Sequence, residues 1–277
     1  MLAHGDPDDW PLDVHLHPDV LVVMALVAVG YWLALTRLGP KLAPAGTPTY
    51  SRRHVVLLVA GVATLLLFSE WPVHDLAEGY LYSVHMLQHA AYTLLAPPLL
   101  ILGTPAWLWR WALGPVMGAF RALTRPWVAV SIFSVVTVVT HLPPVVTASV
   151  RSGPTHLGLH LLLVSTAVLM WWPLLSPMPE LPRLAYPGQM LYCFLMVIPM
   201  SIVSIYIAMA DSILYPAYAS APRLWGISPM LDQQIGGLIM WIPGGLFFYV
   251  VMTFVFFKWS ARDEDGTAGA QVDWRPG

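Results

Sequence analysis

Long apolar runs separated by short polar connections are the feature that most restricts how this chain can fold. A helix needs about 20 mostly apolar residues to cross a bilayer, and seven such runs lie at roughly 19–37, 54–70, 82–102, 126–142, 155–175, 188–211 and 232–257. Only 10% of the 277 residues are charged, compared with about a quarter in soluble domains. Backbone polar groups inside lipid are satisfied by helices or closed barrels. We therefore predict an all-α polytopic membrane protein with seven transmembrane helices.

The segments outside these spans divide the rest of the chain. We expect residues 1–18 to form a short outer tail, residues 19–257 the transmembrane domain, and residues 258–277 a flexible cytoplasmic tail. Residues 104–126 combine tryptophans with arginines, a composition typical of a segment lying in the membrane interface. The first residues lack the basic start of a signal peptide, so we expect the first helix to remain in the protein.

Lysine and arginine are distributed unevenly between the two sides of the predicted bundle. Eleven of the 13 lie in one set of connections and the C-terminal tail, whereas the opposite side holds Arg151 and Arg223. Cytoplasmic loops carry the excess of positive charge in multi-pass proteins. We therefore predict that the N-terminus is outside and the C-terminus is cytoplasmic.

Charge and cysteine content exclude several functions. The net charge of −2 and pI of about 6.5 provide no basic field for nucleic acid, so we expect no nucleic-acid partner. Cys193 is the single cysteine and lies in an apolar run, which rules out an intramolecular disulfide and a zinc site built on cysteine pairs. Any metal site must be built from histidine, methionine and carboxylate side chains.

The histidines concentrate at the predicted outer ends of the spans. His85 and His89 are four residues apart near the start of the third span, and His156 and His160 repeat this spacing at the start of the fifth. Side chains at this spacing share one helix face. His141 ends the fourth span at the same level. The sequence therefore predicts one layer of imidazoles near the outer surface.

This layer has the composition of a metal site. Imidazole binds copper, zinc, iron and nickel, and a thioether adds a preference for Cu(I). Met86 lies between the first pair of histidines, and Asp232 opens the seventh span. We predict that the metal ligands are drawn from His85, His89, His141, His156, His160, Met86 and Asp232, with copper as the metal and zinc as the alternative.

Other interpretations remain open for several of these residues. Asp at the start of a helix is a favoured cap, so Asp232 fits that role as well as a ligand role. Methionine in an apolar span is ordinary packing material, which applies to Met86. A single histidine at a membrane interface is usually an amphipathic side chain with no special role. We interpret the remaining five histidines in this way: His4, His15, His17, His54 and His74.

Several motifs together resemble the caa3-type cytochrome c oxidase assembly factor (CtaG) family. They are HMLQH followed by APPLLILG, then THLPP, HLGLH leading into WWPLL, YPAY and DQQIGGLIMW, between about residues 70 and 257. The resemblance implies a multi-pass protein of the bacterial cell membrane that helps copper reach a haem–copper oxidase, whose subunits would be its partners. The resemblance also implies that the seven candidate ligands above, together with Gln88 and Gln233, are functional positions of these motifs.

The residues alone leave two rival functions open. Three histidines and Asp232 could hold Zn(II) and an activated water in a membrane zinc hydrolase, or the chain could transport copper. No nucleophile–base pair or phosphate-binding loop is evident in the sequence, so a metal-binding assembly factor is favoured over an enzyme. A homo-oligomer in the bilayer is compatible with this interpretation.

The orientation can be tested by cysteine labelling in intact cells. After replacement of Cys193, cysteines introduced near residues 75 and 220 should react with a membrane-impermeant thiol reagent, because the charge bias places these connections outside. Labelling near residues 45 and 120 instead would reverse the orientation.

Overall fold

The computed structural model describes residues 14–264, and within this range the chain forms helices and no strands. The ends of both predicted tails, residues 1–13 with His4 and residues 265–277, lie outside the described residues. The helices in chain order are α1 (Pro18–Leu42), α2 (Arg52–Ser69), α3 (Val73–Gly79), α4 (Tyr82–Gly103), α5 (Ala106–Leu123), α6 (Pro126–Thr140), α7 (Pro143–Arg151), α8 (Gly153–Leu175), α9 (Tyr186–Ala208), α10 (Pro216–Ala219) and α11 (Pro229–Glu264).

Six of the described helices are long and apolar enough to cross a membrane, and α5 with α6 forms a seventh candidate. The latter two helices are bent by 86° relative to each other. With 15 residues, α6 is about 22 Å long, shorter than the roughly 30 Å hydrocarbon layer. The described chain is therefore an all-helical membrane protein with six to seven spans, and the near-perpendicular α5 has the direction expected of an interfacial segment.

The predicted span boundaries lie within a few residues of the helix ends, with two exceptions. Helix α1 continues to Leu42 rather than ending near residue 37. Helix α11 continues past residue 257 to Glu264, so the first part of the predicted flexible tail is helical. Arg262 in its last turn complements the negative end of the helix dipole.

Helix α4 is the centre of the bundle. Buried residues make up 61% of its apolar stretch, compared with 11% for the peripheral α1. Proline at Pro97 cannot donate to the carbonyl of Thr93, and the indole Nε1 of Trp171 on α8 donates to that carbonyl at 2.7 Å. The proline thus frees a backbone acceptor that ties α4 to α8.

Helix α11 approaches its neighbours closely at two glycines. A Cβ atom at Gly236 would lie 2.6 Å from the ring of Tyr82 on α4, and one at Gly237 would lie 2.6 Å from the backbone nitrogen of Ala208 at the end of α9. Small residues permit this approach in membrane helices, where association depends on close packing. The start of α11 is thereby held against the start of α4.

Two clusters of buried apolar side chains fill the bundle at different levels. One includes Phe133, Met170, Trp171 and Phe248, away from the outer ends of α4 and α8. The other lies at the level where α4 begins, and contains Tyr82, Met86, Val146, Val203, Ile207, Tyr215, Tyr218 and Met240. The histidines of α4 and α8 lie beside the second cluster, so the bundle holds them in a packed and rigid setting.

Candidate metal centre

Helices α4 and α8 bring three of the predicted ligands together. One ring nitrogen each of His85, His89 and His160 lies within 4.8 Å of the other two, and we call these residues the histidine triad. The Nε2 atoms of His89 and His160 are 3.2 Å apart. Two nitrogens bound to one tetrahedral ion at about 2.0–2.1 Å would lie roughly 3.3 Å apart. The separation of His89 and His160 therefore matches that of two ligands on one transition-metal ion, with His85 close by.

The triad is buried, and several of its polar atoms have no partner. His85, His89 and His160 expose 9% of their surface or less. The Nδ1 atoms of His85 and His89 find no hydrogen-bond partner among the described residues. A buried polar atom without a partner costs about 1–3 kcal/mol, and such atoms often mark an ion site. A small cavity of about 10 Å³ beside all three rings has roughly the space of one water molecule.

His141 lies beside the triad but does not belong to it. Its Nδ1 lies 2.6 Å from the carbonyl oxygen of Thr137, which can accept a hydrogen bond from Nδ1–H and leave Nε2 as the free donor atom for a metal. This Nε2 is buried and has no partner among the described residues. The His141 ring lies 5.4 Å from that of His89. The structure therefore places His141 next to the triad as a fourth imidazole.

His156 borders the triad and faces away from it. Its ring lies 3.9 Å from that of His160 and 5.8 Å from that of His85. Its Nδ1 is 3.0 Å from the hydroxyl of Ser149 on α7, while its Nε2 contacts Glu78 of α3. The predicted group of four paired histidines is thus a triad with His156 at its outer edge.

Met86 packs in the outer apolar cluster rather than among the imidazoles. Its side chain is fully buried and lies with Tyr215, Tyr218 and Met240. The adjacent His85 points to a different face because successive helix residues are separated by about 100°. The packing interpretation of Met86 therefore describes its position better than the ligand interpretation.

Asp232 also differs from its predicted position among the ligands. Its Oδ2 accepts a hydrogen bond from the backbone N–H of Tyr82 at 2.8 Å, and its Oδ1 accepts from the N–H and hydroxyl of Ser83 at 3.0 and 2.6 Å. These N–H groups open α4 and have no partner within that helix. Asp232 is therefore a cap on a neighbouring helix, an arrangement that local sequence does not reveal.

The two glutamines carried over by the resemblance connect α4 to the end of α2 and α11 to the loop before α10. Gln88 donates from Nε2 to the hydroxyl of Tyr92 at 3.2 Å and also contacts the carbonyl of Phe68. Gln233 accepts at Oε1 from the N–H of Leu214 at 2.7 Å. Neither makes a hydrogen bond with the triad.

Sequence reasoning missed a second group at the outer edge. One donor atom each of His74, Glu78 and His156 lies within 4.8 Å of the other two. Burial lowers the pKa of His74, while the negative charge of Glu78 opposes that shift. His74 and Glu78 are four residues apart, the same spacing as the paired histidines. This spacing is the sequence feature from which the group could have been predicted.

The other histidines have different settings. His54 forms a capping box with Ser51 at the start of α2, and His15 is exposed. His17 lies close to His74, with ring centroids 4.5 Å apart, and donates its backbone N–H to Glu70 at 3.1 Å. The interface interpretation thus fits His15, while His54 caps a helix and His17 and His74 extend the outer group.

Comparison with known proteins identifies one family. The family described as cytochrome c oxidase caa3 assembly factor matches residues 29–262. Uncharacterized proteins of Mycobacterium bovis and Mycobacterium tuberculosis are each 26% identical over 262 residues, covering 86% of this chain and 38% of the relative. One from Mycobacterium leprae is 24% identical over 235 residues, covering 78% and 35%. The chain thus spans less than two fifths of these relatives, and no solved structure matches it.

The capping role of Asp232 can be separated from a ligand role by substitution. Asp232→Asn replaces a charged acceptor at the start of α4 and should cost about 2 kcal/mol of stability, seen as a melting temperature several degrees lower in detergent. Copper bound per folded chain should not change, because asparagine keeps one acceptor oxygen for the start of α4 and so preserves its register. Asp211→Asn, at an exposed outer aspartate, is the matched control. Loss of copper with an unchanged melting temperature would instead make Asp232 a ligand.

Proposed function

This chain belongs to the cytochrome c oxidase caa3 assembly factor family, and on that premise we propose that it binds copper in the histidine triad and helps to deliver it to a haem–copper oxidase. The observation that carries the proposal is the convergence of three buried imidazoles from α4 and α8. In this proposal copper is the ion that the chain delivers, and the oxidase subunits are the partners of the chain. The multi-pass chain would act in the bacterial cell membrane, where such an oxidase resides.

The charge of the triad favours copper over zinc. Its three donors are neutral imidazoles, and carboxylates are absent from this group of described residues. Charge is costly in a low-dielectric interior, and the Born cost rises with the square of the charge, so a monovalent ion costs about a quarter as much as a divalent ion of similar size. Imidazole also suits copper. A buried, neutral triad therefore supports Cu(I) as the cargo.

A cargo ion must leave as well as bind, and the triad has features that assist exchange. Three ligands leave one position of a tetrahedral ion open. His141 and His156 lie beside the triad with ring-to-ring distances of 5.4 and 3.9 Å. An incoming donor can therefore attach before the triad ligands dissociate, which lowers the barrier to transfer.

The proposed direction of delivery is the outer side of the membrane. The triad lies in the first turns of α4 and α8, which the distribution of lysine and arginine assigns to the outside in a seven-span, N-terminus-out topology. Below it, Phe133, Met170 and Phe248 are buried in the apolar cluster. A copper transporter would need polar groups along this route, so delivery from the outer face is the better account.

A zinc hydrolase fits the site less well than copper delivery. The three histidines do resemble a catalytic zinc site with an open position. However, the carboxylate that the sequence offered for activating water, Asp232, is committed to the start of α4. The cavity of about 10 Å³ beside the triad is also far smaller than the roughly 300 Å³ of an ordinary ligand pocket.

Substitution of the triad tests the proposed function directly. Replacing His85, His89 and His160 with alanine should leave the protein in the membrane, because the apolar spans provide the free energy of insertion. Haem–copper oxidase activity should fall at least tenfold while the oxidase subunits are still made. In the single variant His89→Ala, where two ligands remain, added copper should restore part of the activity by mass action on the weakened site.

The control for this experiment is His15→Ala, which removes an exposed histidine from the same side of the protein. Oxidase activity and copper content are measured in membranes at matched levels of the chain. Normal copper loading of the oxidase in the triple variant would contradict the delivery role.

A further inference from the structure

We propose that His74, Glu78 and His156 form a second metal site at the outer edge of the protein, which binds one divalent transition-metal ion such as Zn²⁺ or Cu²⁺. This inference goes beyond the proposed function, because the outer site requires neither copper delivery nor an ion in the triad. Its three donor atoms lie within 4.8 Å of one another, a separation that one shared ion can bridge.

Two helices build the outer site from opposite directions. Helix α3 supplies His74 and Glu78, whose four-residue spacing places both side chains on one face of this short helix. Helix α8 supplies His156 from its first turn. The Nδ1 of His156 lies 3.0 Å from the Ser149 hydroxyl, and such a contact fixes the ring and directs its other nitrogen at a metal.

Two polar atoms of the site, on His156 and Glu78, face each other and make no further hydrogen bond among the described residues. His156 exposes only 6% of its surface, and its Nε2 atom contacts Oε1 of Glu78. Neither atom makes a hydrogen bond with another described residue. An ion placed between the imidazole nitrogen and the carboxylate oxygen would satisfy both atoms at once.

The donor set distinguishes this site from the triad. Two imidazoles and one carboxylate form a set that binds Zn²⁺ and Cu²⁺, and the negative charge of Glu78 offsets part of the charge of a divalent ion. Glu70 and Asp75 lie nearby around His17, with contacts of 3.5 and 4.0 Å to its ring nitrogens. These neighbouring carboxylates attract cations from solution. Glu78 itself is partly exposed, with 25% of its side-chain surface accessible.

The outer site lies directly beside the triad. The His156 ring is 5.7 Å from the His74 ring on one side and 3.9 Å from the His160 ring on the other. An ion in the outer site would thus lie between the aqueous surface and the buried imidazoles. The chain should therefore bind two ions, a divalent ion outside and a further ion in the triad.

The experiment measures Zn²⁺ binding to the full chain purified in mild detergent. In a His85→Ala/His89→Ala background, one Zn²⁺ per chain should remain bound, and adding Glu78→Gln should weaken its Kd at least tenfold. Adding Glu180→Gln instead is the matched control, because Glu180 pairs with Arg110 away from both sites and should leave the Kd unchanged. Equal Zn²⁺ affinity with and without Glu78→Gln would overturn the proposal.

A second measurement keeps the test independent of folding in the double variant. In the otherwise unchanged chain, Glu78→Gln should lower the bound Zn²⁺ by one ion per chain and alter the electron paramagnetic resonance spectrum of Cu²⁺ at the outer site, with the elution volume unchanged. An unaltered spectrum and stoichiometry would contradict the site. Oxidase activity is not a readout here, so a failure of copper delivery would not be confused with a failure of this site.

Discussion

The register of α4 against its neighbours is the constraint on which the histidine triad depends. Asp232 of α11 holds the first N–H groups of α4 through the backbone of Tyr82 and Ser83. Below the two histidines of this helix, Trp171 of α8 donates to the Thr93 carbonyl at 2.7 Å. Each bond satisfies backbone that would be costly to leave unpaired inside a membrane. Together they fix the depth of α4, so that its imidazoles meet His160 rather than lipid.

Neutral and charged donors are separated by depth in this arrangement. The buried triad contains imidazoles alone, whereas the partly exposed carboxylates Glu70, Asp75 and Glu78 lie with His17, His74 and His156. Desolvating a carboxylate costs much more than desolvating an imidazole, which accounts for this order. The same order suits two kinds of ion, with divalent ions favoured outside and a monovalent ion favoured inside. The cost of burying charge, which increases with depth, therefore accounts for both the proposed outer site and the proposed delivery function.

The sequence predicts the helices better than it predicts their contacts. Hydropathy locates the spans because lipid requires long apolar helices, and the spacing of the paired histidines predicts one layer, which the structure forms. The sequence gives no information on the hydrogen-bond partner of Asp232, the backbone of Tyr82 about 150 residues away along the chain. It also gives none on the packing of Met86. Glu78 was missed because α3 has only seven residues, too few for a hydropathy signal. These contacts depend on packing between helices that are far apart in the sequence. The periodicity within one helix gives no information about such packing.

The central claim is that buried imidazoles, and not sulfur or carboxylate, hold the copper. Copper K-edge X-ray absorption of the purified chain loaded with one equivalent of Cu(I) measures this directly. The account predicts a first shell of about three nitrogens near 2.0 Å, with the outer-shell scattering of imidazole rings, and loss of that pattern in His89→Ala. A first shell dominated by sulfur, or a spectrum unchanged by His89→Ala, would contradict it.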